Sequence, residues 1–254
     1  MAESATRGPR GPVALGLLAL CAIGLFALFV SLGVWQIERL AWKRALIAQV
    51  DARIHADPVA APGPAQWDAA QRGEANYLRV SMQGQFQHDA ETLVQATTQW
   101  GQGFWVLTPL HTQTGMTVLV NRGFVPPDRR DPATRPAPPN PQQVVGLLRQ
   151  SEPVGAFLRK NDAADDRWFS RDVQAIAQAR DLGGQGQPVA PYFVDAQAGA
   201  PGEWPVGGLT VVQFKNTHLI YALTWFGLAL MVLAATLYVW RYERRLRLGA
   251  SRSE

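Results

Sequence analysis

The sequence predicts a membrane α+β protein: two transmembrane helices flank a β-rich antiparallel, barrel- or sandwich-like extracytoplasmic domain that includes a short helix. Three observations predict it. No charged side chain occurs from Val13 to Val34, and none from Asn216 to Trp240. Each run would reach roughly 30 Å as a helix, the thickness of a bilayer's hydrocarbon core. The segment between them breaks into short β-like runs separated by turn residues. Mean hydropathy over the chain is only −0.07, so the apolar residues are concentrated in these places.

The first run, within residues 13–35, reads as an uncleaved span. It is longer than the usual apolar core of a secretory signal, and no small-x-small cleavage site follows it. Cys21 follows Leu20, where a lipoprotein signal would have a small residue. Glu38 to Val50 reads as a helix continuing out of the membrane, because Trp35, Arg39, Trp42 and Leu46 recur on one face. Trp35 and Trp42 sit where an interfacial aromatic belt belongs. Pro58, Pro62 and Pro64 mark a linker.

Within the domain assigned to residues 36–215, strands are expected over Tyr77–Gln83, Thr92–Thr97, Gly103–Leu110, Met116–Val120, Val144–Leu148, Tyr192–Asp195 and Leu209–Phe214. Asn121-Arg122-Gly123 has turn chemistry and is expected to end its strand, with Gly123 permitting positive φ. Pro126 to Pro141 is proline-dense and reads as an extended loop. Ser170 to Ala179 reads as a helix, with Val173, Ile176 and Ala177 on one side. Gly183 to Gln187 is a connector. A β-rich domain of this length can bury a core unaided.

Charge sets the expected orientation. The tail 241–254 carries five arginines against Glu243 and Glu254, while residues 1–12 carry Arg7 and Arg10 against Glu3. These two ends account for the whole formal charge of +4. Positive charge beside a span stays cytoplasmic, so both termini are expected inside and the domain outside. Arg39, Lys43 and Arg44 oppose this, but the tail's cluster is denser and abuts the second span, residues 216–240. The basic pI is thus a topology signal, not a nucleic-acid surface. One cysteine, inside a span, excludes a disulfide framework, a zinc cluster and a CxxxC copper site.

His218 is the leading chemical candidate. An ionisable side chain within a span is costly unless it faces protein, water or a ligand. Tyr221, Ala222 and Trp225 follow at helical spacing on its face. Two readings stand from the pattern alone: an axial haem ligand framed by aromatics, or an imidazole hydrogen-bonding at headgroup level. His55, His88 and His111 match no metal spacing and read as solvated surface. Asp162, Asp165 and Asp166 read as an exposed acidic turn. Arg39, Lys43, Arg44 and Arg122 offer charge-assisted bonds to propionates, to acidic partner surfaces or, at the membrane, to lipid phosphate. No GxSxG, HExxH or Walker loop occurs, so no catalytic constellation is apparent. A sensor would need an output domain larger than the short tail.

Four blocks resemble the Surfeit locus protein 1 family, the Shy-type assembly factors of cytochrome c oxidase. They are Leu32-Gly33-Val34-Trp35-Gln36 with Arg39, Trp42 and Lys43; Val120-Asn121-Arg122-Gly123-Phe124-Val125-Pro126; Asn161-Asp162 to Asp172 with Ala175-Ile176-Ala177; and Trp204 to Thr210, leading to Asn216–Phe226. They occur in the family's order. Phe124 stands where the family usually has Trp, and Lys215 where Pro is common.

The resemblance implies a non-enzymatic assembly factor for haem–copper oxidase that binds haem a as cargo and aids its insertion into the catalytic subunit. It places the axial ligand on His218, with Tyr221 and Trp225 on the pocket face. Trp35, Gln36, Arg39 and Arg122 then become candidate contacts to a partner or to propionates. The oxidase catalytic subunit, a haem a synthesis enzyme and membrane lipid are the implied partners, without nucleic acid. The alternative is a structural chaperone that stabilises an oxidase subunit without carrying haem. A leader rich in Arg and Ser and poor in acids is lacking, so a bacterial inner membrane is expected over a mitochondrial one.

Overall fold

The computed structural model describes residues 10–135, 140–153, 159–184, 186–210, 212, 214 and 216–250. The tails through residue 9 and from 251, and the expected loop's residues 136–139, lie outside the described residues. So do Gln185, residues 211 and 213 of the expected last strand, and Lys215. The chain divides into two compact units: residues 1–48 with 213–254, and residues 49–212.

The first unit is a helical hairpin. Helix α1 spans Pro12–His55, continuing past the first apolar run as expected. The hairpin's second helix covers His218–Ala250. Both are long and apolar enough to cross a membrane. They run antiparallel: Arg10 pairs with Glu243, Phe29 stacks on Trp225, Gly33 meets Phe226 and Gln36 bonds His218. Gly33 permits the close approach, because a Cβ there would lie 2.6 Å from the Phe226 ring.

The second unit is a seven-stranded sheet closed on itself. Its strands are β1 (Val59–Ala60), β2 (Arg79–Phe86), β3 (Thr92–Thr98), β4 (Gly101–Thr112), β5 (Thr117–Val125), β6 (Gln142–Gln150) and β7 (Val189–Ala196). Neighbours follow the order β1-β2-β6-β7-β5-β4-β3, and β2 also pairs with β4, so five strands close a barrel. Pairing is antiparallel except along β1–β2 and β5–β7. A one-turn helix α2 (Trp67–Gln71) follows the proline linker, and Tyr192 Oη donates to the Pro62 carbonyl at 2.7 Å, tying that linker to the barrel.

Strand periodicity explains why β5 and β7 are apolar on both faces. Val118, Val120, Tyr192 and Val194 fill the barrel interior. Their alternates Leu119 and Phe193 point outward into a second cluster with Trp168, Val173 and Ile176. Helix α3 (Val173–Ala179) covers that face; Asp172 caps it, its carboxylate accepting from the Ala175 N–H. Val173, Ile176 and Ala177 are buried, as their spacing predicts.

Two local expectations are corrected. Asn121-Arg122-Gly123 does not end its strand, since β5 runs on to Val125. The turn-like residues build an irregularity instead: the β4–β5 register shifts between Trp105 and Leu107, and Gly123 has φ +134°. Asn121 Oδ1 accepts the Gly123 N–H, and Phe124 exchanges backbone bonds with Val206. Leu209–Phe214 was expected as a strand, but Leu209, Thr210, Val212 and Phe214 lie outside any strand. Thr210 instead spends its hydroxyl on Asp195.

Candidate functional site

At the end of the hairpin that joins the second unit's sequence, α4, the His218–Ala250 helix, begins with His218 itself. Its Nδ1 lies 2.7 Å from Gln36 Oε1. An amide oxygen only accepts, so this contact places the ring proton on Nδ1 and leaves Nε2 as the lone-pair nitrogen. Among the described residues Nε2 has no hydrogen-bond partner, and the residue is half-buried. Gln36 is buried at 8% exposure, so its orientation is fixed by packing. An imidazole held through one nitrogen and open at the other is the arrangement metal-binding histidines use.

The remaining sequence-derived candidates distribute as follows. Trp225 stacks against Phe29, ring centroids 5.8 Å apart, and buttresses the same hairpin. Tyr221, expected on the His218 face, is 52% exposed, whereas Ala222 is buried. Trp35 and Trp42 are exposed aromatics. Arg39 lies over the Trp42 ring at 4.7 Å and has no carboxylate partner among the described residues.

Arg122 belongs to the sheet unit. There it pairs with Glu91 at 3.5 Å and lies over Phe86 at 5.6 Å, while Arg135 binds the same Glu91 at 2.7 Å. Burial pulls its pKa down, opposed by Glu91. It also lines a cavity of ~460 Å³ with Phe86, Gln143 and Trp204. His88 is not solvated surface: its Nε2 is buried with no hydrogen-bond partner among the described residues, and burial, then the Arg122 charge, lowers its pKa. His111 is likewise partly buried, bonded to Thr117 and Gln87. Asp162 and Asp165 do form an exposed turn, both paired with Arg167, and Asp166 holds Trp168 Nε1 and Arg180.

One cluster gives no local signal in the sequence. Asp195, 5% exposed, accepts from Asn121 at 2.7 Å, Thr210 at 2.9 Å, Arg171 at 3.1 Å and Arg149 at 3.2 Å. Glu152 accepts from both arginines, and Arg171 stacks over Phe193 at 4.7 Å. Two cations face two carboxylates, so the cluster is internally neutral. It walls a ~200 Å³ cavity with Trp105 and Gly208. Its members are dispersed along the chain, and only the closed barrel brings them together. Among the described residues no three His, Cys, Asp or Glu side chains gather as a metal site.

A two-helix hairpin of membrane-spanning length joined to a closed β-barrel defines the class of this protein. The sequence profile of the SURF1 family matches residues 23–230, and the chain belongs to that family. It is 35% identical to Surfeit locus protein 1 of Homo sapiens over 240 residues, covering 85% of this chain and 74% of that protein. The Xenopus tropicalis protein of the same name is 35% identical over 231 residues, 83% of this chain and 70% of the relative. A SURF1-like protein of Monosiga brevicollis is 33% identical over 239 residues, covering 88% and 85%.

Proposed function

We propose that this protein is an assembly factor for haem–copper oxidase that holds haem a as cargo through His218 at a bacterial inner membrane, with both termini cytoplasmic. The observation that carries the reading is the Gln36–His218 bond: it orients the ring and leaves Nε2 free to meet iron. Haem a has a long isoprenoid tail and is nearly insoluble in water, so a carrier profits from a ligand borne on a membrane hairpin. One exchangeable protein ligand also suits a cargo that must be released to the oxidase catalytic subunit. The chain's part is binding and orientation, not catalysis. Trp225 and Tyr221 are the aromatic neighbours available along α4, and Arg39 is a cation on α1 available to a propionate.

Protein purified from cells that make haem a should show a haem spectrum, and His218→Ala should lose most of it. Unchanged haem in a folded His218→Ala variant would refute the ligand assignment. A second reading, a structural chaperone for an oxidase subunit, is favoured by the family-like block Asn121-Arg122-Gly123. Asn121 and Arg122 bond within the sheet unit, to Asp195 and Glu91, and the Gly123 N–H donates to Asn121 Oδ1. In a deletion strain, a variant that loses haem yet restores oxidase turnover would select that reading.

A further inference from the structure

At the opposite end of the hairpin from His218 the two helices leave a groove of ~690 Å³ between them. On α1 its wall runs from Leu15 to Leu25, and on α4 from Val232 to Leu248. Ten residues of α1 rise about 15 Å, which is half of a 30 Å hydrocarbon core, so the apolar wall has the length of one leaflet. Arg244 and Arg247 line the groove only at its outer end. Glu243 is there too, but its carboxylate is buried and spent on Arg10, which donates to both oxygens at 3.0 and 3.1 Å. Among the described residues the mouth therefore keeps two cations without a carboxylate partner beside an acyl-length apolar wall, Arg247 donating to the Arg10 carbonyl at 3.4 Å and Arg244 lying 5.6 Å from the Trp240 ring.

We infer that this groove is a binding site for one anionic phospholipid, its phosphate on Arg244 and Arg247 and an acyl chain along the α1–α4 cleft. The occupant follows from charge and dimension. Either headgroup offers one phosphate charge, but a zwitterionic one also sets its ammonium beside the two guanidiniums, and basic pockets between spans select anionic headgroups. Other arginines of the same tail, Arg241 and Arg245, do not line the groove, so a seated lipid ignores them.

The test is native mass spectrometry of the full chain released from micelles containing equimolar phosphatidylglycerol and phosphatidylcholine. One phosphatidylglycerol should be retained in preference. Two arginines at roughly 1 kcal/mol each correspond to a preference of about thirtyfold. Arg244→Gln with Arg247→Gln should abolish it; Arg241→Gln with Arg245→Gln, which removes the same charge, should leave it. Alkylating Cys21, the chain's single cysteine and part of the wall, with a pyrene maleimide should expel the retained lipid. Equal retention of both lipids, equal loss in the two double variants, or a lipid-free dimer with the groove closed by a second copy would overturn the proposal.

Discussion

Gly123→Ala tests whether the barrel depends on the irregularity in β5. An added Cβ would lie 2.3 Å from both the carbonyl carbon and oxygen of Val206 and 2.6 Å from the Gly207 nitrogen. These are backbone atoms, so no rotamer change relieves the clash. The residue also sits at φ +134°, a region closed to L side chains. Holding a non-glycine residue in such a region costs about 1–3 kcal/mol, and overpacking adds about 1–3 kcal/mol. The expected destabilisation is therefore about 2–6 kcal/mol, a large share of the roughly 5–15 kcal/mol that holds a domain folded. At about 2–4 °C per kcal/mol for a domain of this size, Tm should fall by roughly 4–24 °C. Tryptophan fluorescence and near-UV circular dichroism of the detergent-solubilised chain would follow it. A Tm within about 1 °C of wild type, with β5 amides still protected from exchange, would show that the 206–207 segment yields freely and that this account of Gly123 is wrong.

Four further outcomes are expected. Gln36→Leu removes the acceptor for His218 Nδ1 at similar volume; if His218 binds haem, retained haem should fall about 10- to 100-fold, and undiminished haem would show that the amide does not orient the ring. Gly33→Leu should force α1 and α4 apart at Phe226, read as loss of a cross-link between cysteines placed at positions 29 and 225; an unchanged cross-linking yield would contradict the close approach. Asp195→Ala leaves the Arg149 and Arg171 guanidiniums largely buried with Glu152 alone and should cost about 3–5 kcal/mol in denaturant unfolding. Finally, the lowered pKa of His88 means the unfolded chain binds more protons there than the native one. Its contribution is whole above the ordinary pKa of 6.5 and is lost as pH falls through that value toward the lower native one, so His88→Gln should flatten stability against pH over that window.

Much of the architecture was legible because its causes are local or periodic. Uncharged runs of bilayer length marked both long apolar helices, and short β-like runs bounded by turn residues marked β2 to β7. Asp172 before Val173, Ile176 and Ala177 marked the short helix. What was not legible depends on closure. Asn121-Arg122-Gly123 carries turn chemistry whether it ends a strand or bends one; only the neighbouring Val206 chain distinguishes the two. Thr210 lies in an apolar, β-branched stretch, yet it joins no strand and its hydroxyl is claimed by Asp195 of β7. At the candidate site, Gln36 and His218 were each singled out, but their bond was not foreseen. It arises because the antiparallel register sets the same distance from Arg10–Glu243 to both.

That Gln36 is an amide and not a carboxylate has a consequence for any metal seated on His218. A carboxylate in this position would push electron density into the ring and tighten its grip on iron. A neutral amide aims the ring without that reinforcement. Affinity and aim are thereby set by different groups: evolution or an engineer could lengthen the residence of a cargo by the single exchange Gln36→Glu while leaving the direction of capture unchanged.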